Sequence, residues 1–171
     1  MIKRSIFTIC NILIMATLEF YRRLDYDFSI YEGEESLRGL INEGFIGTES
    51  LCINEFNYLE LNAARDVILC YLRPVAKINK NENSYSLKHI VEHILAKETN
   101  GVINYISNGT FILAMYSCGF RIWRTKSDKN CFFNVSDKSI RYLLFHKGYI
   151  VIRPIHSYEF PSILHSPDVM L

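Results

Sequence analysis

The fold is decided by residues 84–135, which read SYSLKHIVEHILAKETNGVINYISNGTFILAMYSCGFRIWRTKSDKNCFFNV. Apolar residues in the first part of this stretch recur three and four positions apart, which predicts a helix with one buried face. That face comprises Leu87, Ile90, Val91, Ile94 and Leu95. Ser84 or Ser86 is expected to cap its start, Thr99-Asn100-Gly101 to end it, and Lys88, Glu92 and Lys97 to face solvent.

A second capped helix and a hairpin follow. Ser107-Asn108-Gly109 predicts an N-cap, and the helix over 110–118 is almost wholly apolar before Gly119 ends it. Residues 120–124 and 131–135 alternate as strands do, and the linker 126–130 between them is rich in turn residues. The pattern therefore predicts a two-stranded hairpin.

Further elements are predicted on either side. Apolar spacing predicts a helix over 57–73 that Pro74 stops, whereas KINKNENS at 77–84 is typical of a loop. Upstream, residues 17–30 alternate as in an extended chain, and 33–43 favours a short helix that Gly44 ends. Downstream, Ser136 is expected to cap a helix over 137–146, followed by a strand at 149–152 and an irregular tail.

Three helices followed by a hairpin resemble the core of winged helix-turn-helix proteins. Gly119-Phe120 after the last helix, the turn-rich wing and Phe132-Phe133 on its return strand belong to that resemblance. We therefore expect an α+β fold: a winged-helix-like core, three helices and a β-hairpin, with an acidic N-terminal α/β segment and a C-terminal helix-strand. The expected divisions are 1–14, 15–76 and 84–171, or one continuous domain.

Charge divides the chain into two halves. Residues 1–66 hold 6 Lys or Arg against 11 Asp or Glu, whereas residues 67–171 hold 13 against 7. This asymmetry favours contact between the halves or a basic face offered to an anionic partner. The 5 cysteines form no C-x-x-C pair, so we expect free thiols and a cytoplasmic protein.

The first 14 residues allow several interpretations. Lys3 and Arg4 precede an apolar run that is too short to cross a bilayer and lacks a small-x-small cleavage site. We favour an apolar extension ahead of a start at Met15 and expect no membrane association. A signal peptide or a short anchor remains the alternative.

The winged-helix resemblance implies binding to nucleic acid, with the last helix in the major groove and the wing on the backbone. That helix offers only four polar candidates, Ser107, Asn108, Thr110 and Tyr116. The wing supplies the others: Arg121, Trp123, Arg124, Lys126 and Lys129. We predict a non-enzymatic binding protein without a cofactor that acts on nucleic acid. The alternative is an inhibitor or adaptor that binds a host or partner protein through the apolar helix 110–118, and a homodimer is left open.

The same stretch is similar to short phage and mobile-element proteins. The similarity lies in Ser86-Leu87-Lys88-His89 with Glu92, in Tyr105-Ile106-Ser107-Asn108-Gly109, and in residues of the following helix and hairpin: Phe111-Ile112, Ala114, Gly119-Phe120 and Phe133-Asn134. It implies an accessory, regulatory or host-interaction role.

One catalytic pattern is also present. His89-Ile90-Val91-Glu92-His93 satisfies H-x-x-E-H, the arrangement of inverted zinc peptidases. Two histidines four apart on a helix can share a zinc ion, with the glutamate between them as general base. A zinc-dependent hydrolase using His89, Glu92 and His93 is therefore a remote alternative, because surface histidines are common on helices.

Overall fold

The computed structural model describes residues 26–146, together with Met15, Ala16 and Glu19. The predictions for residues 1–14, for the strand at 149–152 and for the tail lie outside these residues. Within the described part of the chain, no helix is both long enough and apolar enough to cross a membrane.

Four of the five predicted helices are present: α1 (Tyr58–Tyr71), α2 (Ser84–Glu98), α3 (Asn108–Ser117) and α4 (Asp137–His146). Side-chain oxygens of the preceding residues cap three of them. Asn57 accepts from the Leu59 amide, Asn83 from the Ser86 amide and Ser107 from the Thr110 amide. The cap of α2 is thus Asn83, and neither Ser84 nor Ser86, while α3 is capped at Ser107 as predicted. These caps satisfy amides that a helix start leaves without partners.

Residues 26–57 differ from both predictions made for them. They contain three 3-10 turns (Phe28–Tyr31, Glu35–Leu37 and Ile53–Glu55) and a short antiparallel ribbon of β1 (Leu40–Ile41) and β2 (Gly44–Phe45). The extended chain at 26–30 and the helix over 33–43 were wrong predictions. Gly39, at φ 80°, turns the chain where that helix would continue, and its backbone bonds to Glu49, Ile46 and Gly47 instead.

A three-stranded antiparallel sheet follows, built from β3 (Pro74–Asn83), β4 (Ile122–Trp123) and β5 (Phe132–Val135) in the order β3-β5-β4. The predicted hairpin is confirmed as β4 and β5, although its strands are shorter. The predicted loop at 77–84 is wrong, because most of it belongs to β3, a largely exposed strand that pairs with β5 through two register shifts. The α+β class is confirmed.

Asparagine side chains fasten β3 and β4 to β5. Asn79 donates to the Val135 carbonyl and to Asp137 at the start of α4. Asn134 donates to the Val75 carbonyl and accepts from the Arg121 amide. Asn79, one of the polar residues that predicted a loop, is therefore part of the sheet. Its side-chain amide takes the place of a backbone hydrogen bond where the register shifts.

Residues 26–57 cover α3. The Gly109 amide donates to the Asn42 carbonyl at 2.7 Å, and the Tyr31 ring meets the Tyr116 ring edge-on at 5.5 Å. On another side Phe111 packs edge-on against Phe133 of β5. All residues from Asn108 to Met115 are consequently buried, and α3 lies inside one hydrophobic core that extends from Phe28 to Leu143.

Gly109 is the position where this covering is tightest. A Cβ atom at Gly109 would collide with the backbone of Ile41 and Asn42. We therefore expect Gly109→Ala to lower the free energy of unfolding by about 3 kcal/mol, the upper end of an over-packing cost, because main chain must move. Urea denaturation measures the change.

Gly47→Ala is the matched control for this substitution. A Cβ atom at Gly47 meets its neighbours at ordinary contact distances of 3.5–3.6 Å, so its unfolding free energy should stay within about 1 kcal/mol of wild type. Equal stabilities for the two variants would show that β1 and β2 do not press on α3 in solution.

Candidate functional site

The predicted contact residues of α3 lie inside the protein. Thr110 is 0% exposed, its amide bonds to Ser107 Oγ, and the two hydroxyl oxygens are 2.7 Å apart. The Asn108 amide group donates to the backbone carbonyls of Glu43 and Lys129 and to Asn130 Oδ1. These polar groups hold the start of α3 to its neighbours, and of the three residues only Ser107 and Asn108 reach the wall of a cavity.

Burial of α3 also removes the surface that the protein-binding alternative requires. Phe111, Ile112, Leu113, Ala114 and Met115 are each 0% exposed. Tyr116 is half-buried against Tyr31. The helix was expected to offer an apolar strip because its sequence has no polar face, but that composition reflects covering on all sides.

The wing residues divide into two groups. Arg124 is half-buried, its guanidinium lies 4.1 Å from the centre of the Phe45 ring, and it donates to the Arg38 carbonyl. Arg121, Lys126 and Lys129 are exposed. Arg124 therefore ties the wing to the N-terminal segment, whereas the other three cations face solvent.

Aromatic and basic side chains meet on the solvent side of the sheet, on a surface we call the outer sheet face: Lys80, Arg121, Trp123 and Phe132. Trp123 pairs with Phe132 across the hairpin, with ring centres 5.8 Å apart. The Lys80 ammonium lies 4.1 Å from the centre of the Trp123 ring. Arg121 precedes Trp123 by two positions, hence on the same face, and reaches β3 by donating to the Ala76 carbonyl.

The sequence predicted Arg121 and Trp123 as candidate binding residues but gave no such indication for Lys80. Residues 77–84 show no period-two pattern because the register of β3 shifts twice against β5. The available signal was composition, since exposed lysines are common on strands at the edge of a sheet.

The surroundings of this face are strongly basic. Residues 74–83 and 121–130 together contain 6 Lys or Arg and 2 acidic residues. None of these six cations forms an ion pair with a carboxylate within residues 26–146. Five of the six are exposed and remain available for phosphate groups, whereas Arg124 is held by Phe45 and the Arg38 carbonyl.

A cavity of about 510 Å³ opens elsewhere, between the first turns of α1 and α2, the N-terminal segment and the loop before α3. It is lined by Asn42, Glu43, Glu55, Asn57, Glu60, Tyr85, Lys88, His89, Tyr105, Ser107, Asn108 and Lys129. Burial raises the pKa of Glu60, although hydrogen bonds from the Ser107 amide and the Asn57 side chain act in the opposite direction. Three glutamates stand against two lysines in this lining, and Lys88 is already paired with Glu92, so the cavity is less favourable for phosphate than the outer sheet face.

A buried ion pair forms one wall of this cavity. Lys88 Nζ lies 2.6 Å from Glu92 Oε1, and the two residues are only 3% and 8% exposed. Glu92 also accepts from the Ile106 amide and lies 2.7 Å from His89 Nδ1. The prediction that Lys88 and Glu92 face solvent is therefore wrong: the loop before α3 folds over them because Glu92 satisfies its amide.

These contacts also bear on the H-x-x-E-H pattern. The Glu92 carboxylate is shared by Lys88, His89 and the Ile106 amide. In the part of the chain that the structure describes, no three His, Cys, Asp or Glu side chains are grouped to hold a metal ion. Glu92 thus fixes α2 to the following loop, and His89 contacts the same carboxylate.

Removing one member of the ion pair should destabilise the protein. Glu92→Gln leaves the Lys88 ammonium buried without a counter-charge, so we expect the free energy of unfolding to fall by about 3–5 kcal/mol. Lys88→Met should cost less, because Glu92 keeps its bonds to His89 and Ile106. Denaturation of both single variants and the double variant forms a thermodynamic cycle. Losses that simply add, within about 0.5 kcal/mol, would mean that the pair is not coupled.

Comparison with known proteins gives no relative for this arrangement. No protein-family model matches the chain, and neither a curated protein nor a solved structure is significantly similar to it.

Proposed function

We propose that the chain is a non-enzymatic nucleic-acid-binding protein of accessory or regulatory type, which binds phosphate groups through the outer sheet face and the neighbouring wing. The observation that supports this most is the contact between exposed Trp123 and Lys80, in strands and a wing whose six cations have no carboxylate partner within residues 26–146. Cations of this kind bind the backbone of nucleic acids, and an exposed ring provides a stacking surface.

We also propose a winged-helix-like core for residues 58–135. The order of α1, α2, α3 and the β4–β5 hairpin supports this assignment, with β3 added to the hairpin as a third strand. In winged-helix proteins the last helix reads base edges in the major groove. Since α3 is covered here, the proposed binding depends on phosphate contacts and is tolerant of sequence.

Binding to a labelled oligonucleotide of mixed sequence, as single strand and as duplex, tests this function by fluorescence anisotropy. If four cations each neutralise one phosphate, raising the salt from about 50 to 200 mM should weaken binding by roughly fiftyfold or more. Lys80→Met should make the dependence of log Kd on log salt shallower by about one. Methionine retains an unbranched stem over Trp123 and removes only the charge.

Lys97→Met is the matched control, because Lys97 is exposed at the opposite end of α2 from the sheet. This variant should bind with unchanged affinity and salt dependence. The proposal is contradicted if neither form of the oligonucleotide binds at low salt, or if Lys80→Met and Lys97→Met behave alike.

A further inference from the structure

We infer that the outer sheet face binds a single-stranded nucleic acid and stacks an unpaired base on Trp123. This inference rests on the proposed function, because it specifies the ligand of the same surface. It goes further by assigning a role to the aromatic pair, which phosphate binding alone does not require.

Trp123 lies where a ligand can reach it. The side chain remains 39% exposed although it is large and apolar, and Phe132 beside it is half-exposed. Both rings lie on the outer side of the hairpin, whereas Phe133, the neighbour of Phe132, turns inward to Phe111. An aromatic surface on a sheet, bordered by cations, matches the chemistry of bases joined by phosphates.

A single strand fits this face better than a duplex does. In a duplex the flat faces of the bases are stacked on one another, so a ring on a protein surface meets only base edges and backbone. An unpaired base offers its face to Trp123 without the energy needed to open a helix. The buried α3 supplies no group that would read a duplex in the major groove.

Lys80 is the internal competitor for the Trp123 ring, since its ammonium lies 4.1 Å from the ring centre. An exposed cation–π contact contributes roughly a two- to fivefold factor, whereas stacking of a base on an aromatic ring contributes roughly ten- to a hundredfold. The base therefore wins this competition on one ring face. Lys80, an exposed side chain, then reaches a phosphate of the same strand.

Trp123 is the single tryptophan of the chain, so its emission reports on stacking directly. A titration with the oligonucleotide dT12, and with the dT12–dA12 duplex, measures affinity by anisotropy and stacking by tryptophan emission. We expect dT12 to bind at least tenfold more tightly than the duplex and to quench the emission with the same midpoint. Free N-acetyltryptophanamide corrects for absorption by the oligonucleotide.

Two substitutions of the ring complete the experiment. Trp123→Ala should weaken dT12 binding by about ten- to a hundredfold, and Trp123→Phe should restore most of the affinity because it keeps a π-face. Tyr105→Ala removes a ring beside the cavity that is more exposed than Trp123 and should leave affinity unchanged. Circular dichroism establishes that each variant is folded.

The outcomes separate this inference from the proposed function. Salt-dependent binding with equal affinity for dT12 and the duplex, and no change in tryptophan emission, overturns the single-strand assignment but leaves phosphate binding intact. Wild-type quenching by dT12 supports the assignment even if Trp123→Ala fails to fold. Absence of binding to either oligonucleotide overturns both proposals.

Discussion

The close backbone contact at the start of α3 is the constraint on which the rest of this structure depends. Gly109 lies so near the backbone of Ile41 and Asn42 that no side chain fits between them. Because β1 and β2 are held there, α3 becomes the central helix of the core. The binding surface that we propose lies instead on the sheet, on the other side of Phe111 and Phe133.

The cavity and the outer sheet face differ in charge. The cavity combines three glutamates with an internally neutralised Lys88–Glu92 pair, so it is less favourable for phosphate. The outer sheet face and the wing gather cations without carboxylate partners in the described residues. The acidic N-terminal half and the basic C-terminal half seen in the sequence therefore meet around α3, where Arg124 packs on Phe45.

Local signals predicted the helices and the hairpin well, because the caps, apolar spacing and terminating glycines all lie within a few residues of each element. Strand β3 escaped prediction since its partner β5 is about fifty residues away and its polar side chains bond to that partner. Burial of Lys88 and Glu92 also escaped prediction, because it depends on the loop at Ile106, whose amide donates to Glu92. Of the binding face that we propose, the sequence indicated the wing residues Arg121 and Trp123 but not Lys80, because Lys80 lies on the strand β3 that was not predicted.

Hydrogen exchange of the free protein and of its complex with an oligonucleotide tests the central claim, that α3 is covered and the sheet is the binding face. The account predicts slow exchange of the amides of residues 110–117 in the free protein, with no further change on binding. New protection should instead appear in β3, β4 and residues 124–130. Fast exchange in α3 of the free protein, or new protection confined to α3 in the complex, would contradict it.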